Sequence, residues 1–561
     1  MPDVRTGAPA PRRRARPPAA IRSLVHLLTA LALLIGIAGV GGCAVAGGDT
    51  PAADAPIRVA MPDPEGPLYP SATYSLGSII AVHRIFAGLV AHDPDGGAYL
   101  DDAESVEPDE GFRTWTITLR EGLSFADGEP VTADSYIRAW EDAAYGPNNR
   151  VHAGYFSDID GFERMRADAP GGPARHLRGL ERVDERTFRV HLTRPLAAFR
   201  DRLAAVGFKP LPAAALADPE GFGEHPVGNG PYRIDGEHGW ERHRVLRLRP
   251  NPSYRGPNAP ENAGLDLVFG ADPETAWADL LAGTIDVATE PPADAAGEAP
   301  GGFADAAGYT HQALAIPMDA PHFRGAEGRL RRAAISLAID RAGICATLLD
   351  GLADPAAGPA AGPALGGRPA PGAEVLRHDP GRARRLWARA EAISEFTGTL
   401  PLAYAAGDSR NPAAARMTAV ADGLRGTLGV DARPEPYPST AALTEALLAG
   451  EIRGPVLRAM APALPVAWEY YEPAYATGGS FNRVGFSDPE VDAALAEAAA
   501  GDPDAAATAL DRIAGRLLAE LPDIPLWDLR ERLAWGPGVA GVTVGWDGFP
   551  VFHRLRRPEA G

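Results

Sequence analysis

Cysteine is nearly absent from this chain. Of 561 residues only Cys43 and Cys345 carry a thiol. Cys345 sits in the apolar helical stretch Ile344-Cys345-Ala346-Thr347-Leu348-Leu349, which predicts a buried, inert thiol. Lysine is scarcer still: Lys209 stands alone among 54 basic side chains, the rest being arginine. With heavy Ala, Gly and Pro usage this indicates a GC-rich genome, a statement about codons rather than function. After Cys43 no apolar run approaches the roughly 20 residues a spanning helix needs. Basic excess is missing too. The formal net charge is −19, and such a surface repels phosphate backbones, which excludes nucleic acid as a partner class. His-Glu-x-x-His, Cys-x-x-Cys, Gly-x-Ser-x-Gly and Ser-x-x-Lys are all absent. His238 and His243 have no usual ligand spacing, so the metal assignment is none. The many carboxylates read as a solvated face rather than a glycosidase pair, and the catalytic assignment is likewise none, with no cofactor.

The N-terminus is distinctive. Arg12, Arg13, Arg14, Arg16 and Arg22 precede an apolar run over 24–40, which ends in Val40-Gly41-Gly42-Cys43. A positive segment, a short apolar segment and small residues before the cut describe a secretory signal over 1–42. A cysteine placed directly after the small residues resembles the lipobox of bacterial lipoproteins. That resemblance implies lipidation at Cys43, whereas the bland alternative is a transmembrane anchor with a chance cysteine. Once Cys43 is lipidated no intramolecular disulfide is left. Loss of six Arg and one Asp with the signal makes the mature chain more acidic, at about −24. Residues 43–55 read as a flexible tether.

Along the body, periodicity predicts an α/β protein. Strands are expected at 57–60, 114–119, 187–192, 245–248 and 265–269. Helices are expected at 78–90, 132–145, 273–282, 330–349, 380–392, 412–428, 440–449, 489–500 and 504–519. The Ala/Gly/Pro-rich stretches 291–308 and 353–373 read as loops or connections between lobes. In Phe125-Ala126-Asp127-Gly128 the aspartate suits a turn and the glycine a positive φ, and Thr132 suits a helix cap. Gly228-Asn229-Gly230-Pro231 reads as a rigid turn. It is a weak match to a phosphate-binding loop, lacking a third glycine and a following helix.

The stretch 107–134, with Thr114-Trp115-Thr116-Ile117-Thr118-Leu119-Arg120-Glu121-Gly122-Leu123-Ser124-Phe125-Ala126-Asp127-Gly128 at its centre, resembles the signature of family 5 extracellular solute-binding proteins, which serve ABC importers for oligopeptides, dipeptides and nickel. Ile85-Phe86-Ala87-Gly88-Leu89-Val90, Leu192-Thr193-Arg194-Pro195-Leu196, Pro226-Val227-Gly228-Asn229-Gly230-Pro231-Tyr232, Arg249-Pro250-Asn251-Pro252, Leu281-Ala282-Gly283-Thr284-Ile285-Asp286 and Asp488-Pro489-Glu490-Val491-Asp492 follow in the family's order. The resemblance implies a two-lobed periplasmic-binding-protein-like fold of the large type II cluster, with the ligand cleft between the lobes. Lobe I would hold 56–300, with an extra subdomain at about 76–224. Lobe II would hold 305–520, and 521–561 would return to lobe I.

One departure bears on the ligand. Peptide-binding members of the family carry a Trp followed three residues later by an Asp that pairs with the peptide's amino group, a partner a buried ammonium requires. Here Met460 stands at the Trp position and Ala463 at the Asp position, unless Glu469 replaces the carboxylate. That loss weighs against free-amine peptides and toward blocked or cyclic peptides, sugars and other apolar solutes. Candidate ligand contacts are Met460, Ala463, Trp468 and Tyr470 by packing, Arg458 by charge and Asn482 by its place near the family's cleft. Core packing, an interlobe arginine and a structural Asn are the competing readings of the same residues. His83, His311 and His322 keep a nickel or haem reading open.

The expectation is a non-enzymatic, monomeric lipoprotein on the outer face of the cytoplasmic membrane. It would capture a peptide or peptide-like solute for ABC permease subunits. The alternatives are a repurposed, non-transporting surface lipoprotein, a binder of a non-peptide solute, and a secreted hydrolase.

Overall fold

In the computed structural model, residues 54–292, 294–407 and 413–558 are described. The signal, Cys43 and most of the expected tether lie outside them. Among the described residues no helix is long and apolar enough to cross a membrane.

A single sheet of 12 strands runs through the molecule. Its main path passes from Asp431–Tyr437 through Thr399–Ala405 and Val456–Met460 to the long strands Gly302–Ala315 and Asp523–Trp535. It continues through Val287–Thr289, Ile57–Ala60, Leu265–Val268 and Val245–Pro250 to Tyr232–Ile234. The long antiparallel pair bridges the two ends of this sheet. At one end Gly302 faces Trp535 and Val287–Thr289 pairs with the same strand. At the other end Ala315 faces Asp523, and Val456–Met460 pairs with His311 to Ala315. Register shifts between Ala307 and His311, and again between Gln312 and Ala313, mark bulges in the bridge.

The sequence predicts neither of these long strands. Residues 302–308 lie within a stretch read as a loop, and 523–535 carries no expectation. Gly302-Phe303-Ala304-Asp305-Ala306-Ala307-Gly308 has low strand propensity, and pairing over the whole length of a partner strand overrides it. Asp431–Tyr437 contains Pro434 and Pro436, which fit because it lies at the sheet edge. The single helix expected at 330–349 is two, Gly325–Ala338 and Arg341–Leu348. Asp340 breaks it by accepting the Gly343 amide at 3.0 Å as a new N-cap. The helix expected to reach 90 stops at Ile85, and Phe86 is already extended. Residues 353–373 include a short strand, Ala353–Pro355, paired with Asp523–Trp535.

A separate four-stranded sheet contains Ala103–Pro108, Thr114–Leu119, Thr187–His191 and Leu180–Arg182. Thr114–Leu119 alternates as its sequence predicts, with Trp115, Ile117 and Leu119 buried. Helix Ala133–Ala144 covers this layer. Tyr136 stacks on Phe188 at 6.0 Å, and Trp140 meets Phe188 edge-on at 5.5 Å. The signature segment is therefore scaffold: Asp127 Oδ1 accepts the Glu129 amide at 3.0 Å, and Gly128 has φ +94°. At the chain's closure, Asp286 accepts from Arg58 Nε at 3.0 Å and Arg557 Nη2 at 2.8 Å, tying the first strand to the last residues.

Candidate solute cavity

A cavity of about 430 Å³ opens where helix Leu76–Ile85, the 90–101 segment, the 545–554 loop and Ala463 converge. The close approach that shapes one wall depends on glycine. A Cβ at Gly228 would lie 2.0 Å from the Ile85 carbonyl oxygen, and the Gly230 amide donates to that oxygen at 2.8 Å. Gly88 serves the cavity directly, because a Cβ there would sit 2.9 Å from Lys209 Nζ. Asn229, between the two turn glycines, reaches Asp102 Oδ2 at 2.6 Å.

Charged and aromatic side chains line the space. His83 and Arg84 come from the last turn of helix Leu76–Ile85, and Lys209 from the segment after Phe208. Asp93, Asp101, Glu261, Asp547, His92, His553, Arg554, Tyr99 and Trp546 also border it. Trp546 meets His92 edge-on at 5.8 Å and Tyr309 at 6.1 Å.

Burial sets the protonation states. It lowers the His92 and His553 imidazoles to about 4 and pushes His83 well below its ordinary value, so all three are neutral at pH 7. Burial also raises Asp101, and it raises Asp102 to about 8 with help from the neighbouring Asp101 charge. Hydrogen bonds hold this pair in place. Tyr254 Oη donates to Asp101 at 2.7 Å, and Tyr136 Oη donates to Asp102 at 2.6 Å. Lys209, 3% exposed, is lowered to about 8 by burial, although Asp101 and Asp102 pull it upward.

Of the candidate contacts, Ala463 borders the cavity and is exposed. Met460 is half-buried on the strand Val456–Met460 opposite His311. Each of the remaining candidates has an internal polar partner. Trp468 is buried and donates through Nε1 to Glu472 at 2.9 Å, and Tyr470 is buried with its hydroxyl on the Tyr309 carbonyl. Arg458 pairs with Asp523. Asn482 donates to the Ala476 and Phe486 carbonyls at 2.9 and 2.6 Å and accepts the Phe486 amide at 3.0 Å, which makes it a loop brace. Glu469, the possible substitute carboxylate, is half-buried and raised by burial, and the cavity lining does not include it.

Among the histidines, His83 lines the cavity. His311 Nδ1 meets the Asp528 carboxylate at 2.6 Å, and His322 meets Glu327 at 2.8 Å. Among the described residues no group of three His, Cys, Asp or Glu side chains is placed to hold a metal ion. Sequence reasoning missed Arg84, His92, Asp101, Trp546 and Asp547. Only the solitary lysine was a usable signal, because its single occurrence already set Lys209 apart. A second cavity, of about 470 Å³, lies between helices near Ile339, Ile344 and Val420 and is mainly aliphatic.

Comparison with known proteins accords with this architecture. The chain superposes on the murein tripeptide binding protein MppA of Escherichia coli with a TM-score of 0.69 and 19% identity, covering 90% of this chain and 98% of that one. For Haemophilus influenzae OppA in complex with the peptide RPPGFSPFR the TM-score is 0.67 at 19% identity, over 89% and 98% of the two chains. In sequence, 178 residues are 30% identical to the periplasmic oligopeptide-binding protein OppA of Salmonella typhimurium, covering 30% of this chain and 31% of that protein. Protein XP55 of Streptomyces lividans is 31% identical over 275 residues, 48% of this chain and 46% of that one. The matched stretches thus span less than half of these curated relatives. The profile of the bacterial extracellular solute-binding proteins, family 5, middle region, matches residues 99–482, and the chain belongs to that family.

Proposed function

We propose that the protein captures a peptide or peptide-like solute in the cavity beside Ala463 and presents it to ABC permease subunits for import. In this reading the lobes divide near 300 and 520, and closure about the bridging strands traps the solute. A lipid on Cys43 holds the protein at the outer face of the cytoplasmic membrane. The relatives' names and their peptide complex support the solute class. The observation that carries the reading is the cavity itself, bordered by both Ala463 and the 545–554 loop.

Ala463 adds a specific feature. The cavity wall offers a methyl group where a free-amine ligand would need a carboxylate. A blocked or cyclic peptide fits this wall better than a free amino terminus does.

Native mass spectrometry of the purified protein tests the proposal. A retained solute mass, fragmented, identifies the class and shows whether a free amine is present. Bare protein, with no thermal shift across a panel of peptides and sugars, would instead favour a scaffold that has lost transport.

A further inference from the structure

Arg84 and Lys209 are the anomaly of the cavity. The Nε of Arg84 is buried without a hydrogen-bond partner, and the side chain forms no ion pair among the described residues. Its only close contact of note is the face of Phe552, 4.8 Å from the guanidinium carbon. Lys209, the single lysine, is 3% exposed, and its ammonium forms no hydrogen bond or ion pair among the described residues. The two are near enough that the charge of Arg84 disfavours that of Lys209.

Arg84 is half-buried with its Nε shut off from solvent, and Lys209 is buried; cations desolvated in this way are costly unless a partner meets them. The nearby carboxylates do not satisfy these. Asp547 acts on Arg84, and Asp101 and Asp102 on Lys209, without a hydrogen bond or ion pair, and burial raises all three acids toward their neutral forms. Asp101 already accepts the Tyr254 hydroxyl on Oδ1. The carbonyl end of helix Leu76–Ile85 offsets part of the Arg84 charge but leaves its donors unused.

We propose that Arg84 and Lys209 form the anion-holding end of the cavity and take a carboxylate or phosphate group of the bound solute. The assignment deepens the capture reading and rests on it. Together with the methyl group at Ala463, it describes a ligand recognised by an acidic group rather than by an amine. Arginine supplies a planar fork for the two anionic oxygens, and lysine adds a point charge.

The chain provides its own probe. Protein labelled with 13Cε-lysine gives one lysine signal, from Lys209. N-acetyl-trialanine and inorganic phosphate, titrated separately, are expected to move that signal saturably and to carry its midpoint upward from about 8. N-acetyl-trialanine amide is expected to leave it in place, and the more effective anion distinguishes a carboxylate site from a phosphate site. In Arg84→Gln the response should weaken at least about tenfold, the worth of one charge-assisted hydrogen bond. An equal response to the amide, or no response to either anion, overturns the assignment. Native spectra separate this from capture itself. A retained neutral solute refutes the anion site and leaves capture standing, whereas a retained acidic solute supports both.

Discussion

Glu472 accepts Nη2 of Arg202 at 3.1 Å while its other oxygen takes Arg194, and both arginines also grip Asp158. Glu472 belongs to helix Trp468–Tyr475, after the bridging strand Gly302–Ala315, whereas Asp158, Arg194 and Arg202 flank the four-stranded sheet. A backbone bond from Ala197 to the Ala499 carbonyl, 2.6 Å long, reinforces the junction. These contacts join parts of the chain more than 250 residues apart, and in the proposed capture reading they would limit how far the lobes open.

Glu472→Gln should therefore loosen the junction. The expected cost is about 1–2 kcal/mol, reduced from that of a fully buried pair because Arg194 is 37% exposed. Small-angle scattering should show a larger radius of gyration without ligand. An unchanged radius together with unchanged solute affinity would remove the junction from the closure account.

Asp286 is the second test. Burial pushes its carboxyl up, but hydrogen bonds from Arg58 and Arg557 outweigh that and hold it below the ordinary value. A depressed acid contributes stability above its unfolded pKa, near 4, and the contribution is lost as pH falls through the folded value. Asp286→Asn leaves Arg557, 2% exposed at its side chain, without its counter-charge and should cost about 3–5 kcal/mol. Urea unfolding at pH 7 measures the loss, and the gap between variant and parent should narrow toward pH 2.

The proposed reading of Ala463 can be tested by substitution. Ala463→Asp places a carboxylate at the cavity wall and should raise affinity for a free-amine tripeptide about tenfold or more over its N-acetyl form. Calorimetry with the two peptides decides this, and equal affinities would show that position 463 does not face the ligand's amino end.

Lys209 gives a pH signature. A lysine whose folded pKa lies near 8 subtracts stability at neutral pH, and the cost fades as pH rises toward about 10.4, the unfolded value. Lys209→Met should thus be more stable than the parent at pH 7, by up to about 3 kcal/mol, and equal to it near pH 10.5. Asp101, Asp102, Arg84 and His83 face the same region, so the comparison is made on the difference between the two proteins. A variant less stable at pH 7 would mean that the ammonium has a structural partner.

Cys43→Ser should abolish metabolic lipid labelling and release the protein from membranes into the medium. Continued labelling would refute the lipobox.

Local chemistry was readable where it is self-contained. Trp115, Ile117 and Leu119 alternate with threonines, and the strand runs over the predicted residues, Thr114–Leu119. Thr132, Asp272, Ser439, Asp488 and Asp502 occupy N-cap positions of helices close to their predicted starts. Ala463, which the alignment sets at the amine-anchor position, borders the cavity, whereas Trp468 and Asn482, singled out by the same reasoning, make internal hydrogen bonds.

The sequence by itself determined the family scaffold, the helices and short strands with strong periodicity, and the solitary lysine. The tertiary structure alone decided the bridge and the site. The strand from Gly302 is a strand because Asp523–Trp535 lies along its full length, an interaction between residues about 200 positions apart that local propensity cannot encode. Arg84 and Lys209 likewise acquire meaning only when folding sets both beside one cavity with neither charged group in a hydrogen bond or ion pair among the described residues. Burial turns an ordinary basic residue into a demand for an anion, and burial is a property of the folded chain.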